Sequence, residues 1–235
     1  GGFLVGLHMQ GLLTTIIMLP FIGAVDLGWV YYPIAFFGII FLVNAVNLTD
    51  GLDGLCSCVT FVSMLGYLLA ASMLSFYHVA VLAAATAAAA AGFLVWNFYP
   101  AKVFMGDTGS LTLGYILAFL CIRYAVYNPE VTPYSTSAIL VAFSTLIVPM
   151  FDVIRVMLIR FRSNKGLFSP DKNHIHHKFL EMGFSPHKAL LYILGISWIF
   201  SSLNIILAPF ININILFIGD IVVWTVLNIC LDKIH

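Results

Sequence analysis

Charge is scarce in this sequence: of 235 residues, ten are Lys or Arg and ten are Asp or Glu. That is 9% of the chain, where a soluble domain carries roughly 25%. Together with 62% hydrophobic residues and a mean hydropathy of +1.05, the deficit excludes a soluble fold. Cysteine is scarce too. Cys56, Cys58, Cys121 and Cys230 lie in or beside apolar stretches, and Cys56-Ser-Cys58 lacks the two-residue spacing of a zinc pair, so the thiols read as packing groups. No acid precedes Asp26, and none occurs from Leu55 to Tyr99. The chain opens Gly1-Gly2-Phe3 without an initiator Met, a basic n-region or a small-residue cleavage site, so no signal peptide is visible and an upstream part is expected. No internal repeat of the kind that marks an inverted-repeat transporter is present.

Long apolar runs are abundant. A spanning helix needs about 20 mainly apolar residues. Eight stretches qualify: 9–25, 32–49, 55–75, 78–97, 111–127, 136–159, 189–208 and 213–231. Pro20 and Gly23 interrupt the first. The runs lack the alternation of an outer-membrane barrel, and backbone groups in lipid must be satisfied internally. The expected fold is therefore all-α, a polytopic membrane helix bundle forming one domain over residues 1–235. The Ala-rich run from Ala83 to Ala91 suits close helix packing.

Seven of the ten basic residues fall between Arg155 and Lys188, and the positive-inside rule places the loop 160–188 in the cytoplasm. Counting spans back in pairs puts the loops around Tyr99 to Ser110 and Thr49 to Gly54 on the same side. The opposite turns, such as 128–133, carry no Lys or Arg. One shared site on the cytoplasmic face becomes possible.

Three constellations carry chemistry. N-A-V-N-L-T-D-G-L-D-G, from Asn44 to Gly54, places Asp50 and Asp53 with glycines where an apolar helix meets water. Such a turn points oxygen ligands at a cation or nucleotide, although a hydrated helix end is the simpler alternative. In W-N-F-Y-P-A-K-V-F-M-G-D-T-G-S, from Trp96 to Ser110, Pro100 stops one helix and Gly106-Asp107-Thr108-Gly109-Ser110 begins the next. The free N–H groups of a helix start suit a phosphate, and Asp107 can hold a bridging Mg²⁺; capping by Asp107, Thr108 or Ser110 is the plainer reading, and the two are compatible. S-P-D-K-N-H-I-H-H-K, from Ser169 to Lys178, puts His174, His176 and His177 in the basic loop. Only His174 with His177 has zinc-helix spacing; histidines among Lys and Arg suit a diphosphate, and a solvated basic loop near anionic lipid stays open.

Other polar residues receive no role. Asp26, Glu130, Asp220 and Asp232 read as solvated, His8, His78 and His235 as isolated, and Asp152 with Arg155 as an i,i+3 pair of structural character.

Taken in order, the three motifs closely resemble the polyprenyl-phosphate N-acetylhexosamine-1-phosphate transferases, over about Asn44 to Leu180. The resemblance implies transfer of a sugar-1-phosphate from a UDP-sugar to undecaprenyl phosphate, with release of UMP, at the cytoplasmic face of a bacterial inner membrane. It implies Mg²⁺, with Mn²⁺ as the alternative, held by Asp107 and with Asp50 nearby. Asp53 and Asn97 would belong to the nucleoside pocket, Asn44 and Asn47 would support the same floor, and His174, His176 and His177 would face the diphosphate. Lys102 and Arg162 count with the substrate-binding residues. The partners are the UDP-sugar, the lipid phosphate and the bilayer; a homodimer is open and nucleic acid is not expected. The family also carries an adjacent acidic pair on an earlier cytoplasmic loop, together with further helices, which this chain lacks.

P-D-K-N-H-I-H-H looks like the N-acetylglucosamine-1-phosphate branch, whereas N-L-T-D-G-L-D-G and the stretch from Asp26 to Pro33 lean towards the muropeptide translocase branch; the first is favoured. CDP-alcohol phosphatidyltransferases need further downstream aspartates, which the acid-free stretch from Leu55 to Tyr99 denies. A cation-coupled transporter would place its acids at the midplane rather than at helix ends on one side.

Overall fold

A computed structural model describes residues 15–74, 77–125, 138–164 and 174–234, together with Gly6 and Met9. It is a helical bundle preceded by a small hairpin. Strands β1 (Ile16–Leu19) and β2 (Gly23–Asp26) pair antiparallel, with Ile16 opposite Asp26 and Leu19 opposite Gly23. Then come α1 (Tyr31–Asn47), α2 (Leu55–Leu74), α3 (Tyr77–Asn97), α4 (Gly106–Ala125), α5 (Ala138–Ser144), α6 (Ile147–Arg162), α7 (Ile175–Glu181), α8 (Pro186–Leu207) and α9 (Ile213–Ile234). Among the described residues, six helices are long and apolar enough to cross a membrane: α1, α2, α3, α4, α8 and α9. The chain is a multi-pass membrane protein, with six such spans among the described residues where the sequence suggested eight in all.

Two expectations fail for physical reasons. Within the stretch 9–25, residues 15–25 are not a helix, because Pro20 has no N–H to donate and the turn puts Phe21 at φ 66° and Gly23 at φ 95°. Ile16, Ile17 and Val25 are β-branched residues that suit a strand. The tip is held from afar: Phe21 N–H donates to Asn214 Oδ1 at 2.7 Å, and the Phe21 and Phe217 rings meet edge to face. Residues 136–159 are likewise not one helix, since the chain breaks between α5 and α6. Pro149 cannot donate to the carbonyl four residues earlier, that of Thr145, and the Ser63 hydroxyl donates there instead at 2.6 Å. Tyr67 donates to Ala142 O at 2.9 Å and Ser201 to Ser144 O at 3.4 Å. Hydroxyls from α2 and α8 thus satisfy carbonyls that lipid cannot.

The main core gathers Leu42, Val46, Met64, Tyr67, Leu117 and Leu120 from α1, α2 and α4. α1 and α4 approach closely at Gly114, where a Cβ would lie 3.0 Å from Val43 O. Phe36, Phe37 and Ile40 of α1, Val81 and Val95 of α3 and Val222, Val223 and Val226 of α9 face outward, as lipid-facing surface requires. The C-terminal ends of α1, α3 and α6 and the N-terminal ends of α4, α7 and α8 lie at one end of the bundle, and that end carries the described residues of all three motifs. The hairpin and the start of α9 lie at the other.

Candidate active site

The acidic turn is built where α1 runs out. Residues Leu48–Gly51 form a 3-10 turn carrying Asp50, and Leu52 then becomes extended and sends Asp53 towards the loop after α3. Asp53 Oδ2 accepts the Ala101 N–H at 3.0 Å, which ties the first motif to the second. Asn47 Oδ1 accepts the Ser110 hydroxyl, a second tie between them. The Gly106 amide is directed at the Asp50 carboxylate, and Asp53 and Asp107 are close enough for their charges to act on it. Gly106, at φ 63°, lets the backbone turn abruptly into α4, leaving Asp107 exposed in its first turn. Three carboxylates therefore gather beside a helix N-terminus.

Asn97 is 2% exposed and engaged on both sides. Its Oδ1 accepts the Ser57 hydroxyl at 2.9 Å, and its Nδ2 donates to Val103 O at 3.0 Å. Its visible role is to hold the loop that presents Lys102, whose ammonium lies 5.4 Å from the Trp96 ring centre and is exposed. Asn44 is exposed and donates to Ile40 O of its own helix at 2.7 Å. Arg162 ends α6 at the mouth of a groove between α6 and α9, and no hydrogen bond or ion pair joins it to the acidic turn among the described residues.

The histidine helix α7 docks beside that turn. His174 and His176 are buried, their rings stacked 5.8 Å apart, and His177 packs 4.2 Å from His176. A Cβ on Gly51 would sit 3.0 Å from His176 Nε2, so the ring abuts the turn that carries Asp50. His176 Nε2 is buried without a hydrogen-bond partner. Burial, and then the neighbouring His177 and His174, push its pKa down to about 4, against an opposing pull from Asp152. The His176 imidazole is accordingly neutral at pH 7. Ser169 to Asn173 lie outside the described residues.

The sequence reading missed how this helix is held. Asp152 of α6, 6% exposed, accepts Ile175 N–H at 3.0 Å and Arg155 Nη2 at 2.9 Å through Oδ1, and bonds His174 Nδ1 at 2.8 Å through Oδ2. Buried Lys178 pairs with Asp232 and approaches Asn228 Oδ1 at 3.4 Å, both on α9. An acid inside an apolar stretch was the available signal for Asp152. Asp220 and Asp26 are not simply solvated either: Asp220 accepts from Asn204 Nδ2 at 2.9 Å, and Asp26 from the Thr15 hydroxyl at 2.5 Å.

No group of three or more His, Cys, Asp or Glu side chains is arranged to hold a metal among the described residues. The donor set still fits Mg²⁺, which takes hard oxygen ligands, often one or two carboxylates with phosphates and water completing the shell. Asp107 and Asp50 supply such oxygens, while Asp53 has one oxygen engaged.

Residues 3–125, just over half of the chain, match the model of glycosyl transferase family 4. The chain belongs to this family. Among curated relatives of this family-4 chain, a probable undecaprenyl-phosphate N-acetylglucosaminyl 1-phosphate transferase of Bacillus subtilis is 38% identical over 184 residues, 77% of this chain and 49% of the relative. A phospho-N-acetylmuramoyl-pentapeptide-transferase of Clostridioides difficile is 52% identical over 113 residues, 47% of this chain and 35% of the relative. Its counterpart in Halalkalibacterium halodurans is 32% identical over 211 residues, 89% and 61% of the two chains. The chain thus spans about half the length of the curated relatives it matches.

Proposed function

We propose that this family-4 chain carries the site of a transferase that moves N-acetylglucosamine-1-phosphate from UDP-N-acetylglucosamine to undecaprenyl phosphate, releasing UMP, on the cytoplasmic face of a bacterial inner membrane. The observation that carries the reading is the joining of three sequence-distant motifs at one end of the bundle, through Asp53 to Ala101, Asn47 to Ser110 and His176 against Gly51. The relatives' names supply the substrate class, and the B. subtilis relative supplies the sugar.

The reaction brings a phosphate nucleophile against a diphosphate, so alignment and charge neutralisation dominate the barrier. A magnesium ion, when bound, would offset charge on the diphosphate oxygens. Asp107 and Asp50 are the residues that would hold it. The first turn of α4 beyond Gly106 would present its amides to a phosphate oxygen, and exposed Lys102 adds a positive charge on the same rim. The neutral His176 closes the floor beneath Gly51 and excludes water there. The lipid phosphate reaches these groups from the bilayer in which the helices stand.

The muropeptide reading stands second, on the 52% identity shared with the C. difficile enzyme over 113 residues. UMP release by the full-length protein in detergent, with Mg²⁺ and undecaprenyl phosphate, separates the two. Release from UDP-N-acetylglucosamine alone supports the first, release from UDP-N-acetylmuramoyl-pentapeptide supports the second, and release from neither by a folded sample overturns both.

A further inference from the structure

We propose that Asp152 is a positioning residue for this site: it fixes the His174 imidazole with its proton on Nδ1, leaving Nε2 as the ring nitrogen that meets the reacting groups. The inference rests on the reading that the histidine helix belongs to a transferase site. Asp152 lies on α6, 22 residues before His174, and its two oxygens divide the work. Oδ1 alone accepts both Ile175 N–H and Arg155 Nη2, which accounts for capping α7 and for the pair within α6. A structural tie would need no more than that. Oδ2 is committed to His174 Nδ1 at 2.8 Å, with both side chains buried.

A carboxylate can only accept, so the proton in that bond belongs to the ring, and Nε2 carries a lone pair when His174 is neutral and a proton when it is charged. His174 does not use its side chain to cap α7, although it occupies the N-cap position, so its ring is available for another partner. The groups that face it are Asp152 from α6, the parallel His176 ring from α7 and Arg155 beyond the carboxylate. The order runs from Asp152 through His174 and His176 to Gly51 and the turn bearing Asp50. One carboxylate thereby sets both the proton position of the first ring and the placement of the stack against the acids.

Asp152→Asn in the full-length protein tests this. With its oxygen kept towards Ile175 and Arg155, the amide offers N–H instead of an acceptor to His174 Nδ1, and the ring proton must move to Nε2. The expected result is a fall in kcat of about a hundredfold or more, with KM for the UDP-sugar changed less than about threefold, as when a catalytic imidazole is held in the wrong tautomer. His174→Asn preserves a donor to Asp152 while deleting Nε2, so it loses comparable activity, and the double variant is no slower than His174→Asn alone. Histidine ¹⁵N NMR, with the His174 signals assigned by their loss in His174→Asn, reads the proton on Nδ1 in the unmodified protein and on Nε2 in Asp152→Asn.

Full turnover in Asp152→Asn, an additive double variant, or a neutral Nε2–H ring in the unmodified protein each overturns the inference. Should Asp152→Asn fail to fold, the unmodified ring and His174→Asn still decide it. If the unmodified full-length protein releases UMP from neither sugar nucleotide, the transferase reading falls, while the tautomer measurement still judges the contact between Asp152 and His174.

Discussion

The acidic and histidine halves of the site sit side by side at one end of the bundle but are held by different means. On the acidic side, backbone and neutral side chains carry most of the order, with Ser57 on Asn97, Asn97 on Val103 and Ser110 on Asn47, and the Asp53 carboxylate receives the Ala101 amide. Each bond is modest, and together they leave Asp107 exposed and unencumbered. On the histidine side, buried charges carry it, with Asp152 and Lys178 anchoring a seven-residue helix too short to stand alone. Asp107, an acid that would meet a metal, is spared structural duty, whereas the groups that orient the histidines are the structure.

The largest expected difference follows from replacing Asp107 with Asn in the full-length protein. Activity should drop roughly a thousandfold, the several kcal/mol of charge stabilisation that a bound metal supplies, with the melting temperature within a couple of degrees. Unaltered turnover would remove Asp107 from the metal site. Next comes Gly51→Val, which forces the two halves apart where they touch, since its Cβ would begin 3.0 Å from His176 Nε2. Turnover should fall by about a hundredfold, the scale expected of an ångström-sized misplacement.

Third, acid should loosen the histidine half first. The folded His176 pKa lies near 4 against an ordinary 6.5, so protonation is penalised only in the folded state. Stability is therefore full above pH 6.5 and declines by about 2 to 3 kcal/mol as the pH falls from 6.5 towards 4. A thermal-shift series should show that slope flattened in His176→Phe. The smallest effect is on the acidic half: Ser57→Ala leaves the buried Asn97 oxygen without its donor and should cost about 1 to 3 kcal/mol, read as a lower melting temperature with kcat little changed.

Much of this was legible in the sequence. The apolar runs gave the helices, and counting spans in pairs put the three motifs at one end, because sidedness depends on the parity of crossings and not on their packing. The same arithmetic survived two wrong spans, since 9–25 precedes all three motifs and the break inside 136–159 leaves the chain at the same end. What hydropathy does not encode is backbone satisfaction. Ile16 to Val25 is as apolar as a helix, and only Pro20 with a left-handed Phe21 turns it into a hairpin. Likewise the gap at Thr145 depends on Ser63, 82 residues away, to complete it. Asp152 read as half of a local pair with Arg155 because its decisive partner lies across a loop, and nothing in the neighbourhood of Asn97 announces its bond with Ser57, 40 residues earlier.

The hairpin bears on how the protein is made. Its tip amide at Phe21 is received by Asn214, 193 residues later, on the first turn of α9. During synthesis that amide has no such acceptor until every intervening helix has entered the bilayer. A chain stalled before α9 would therefore hold the hairpin tip without this latch, at the end of the bundle away from the motifs.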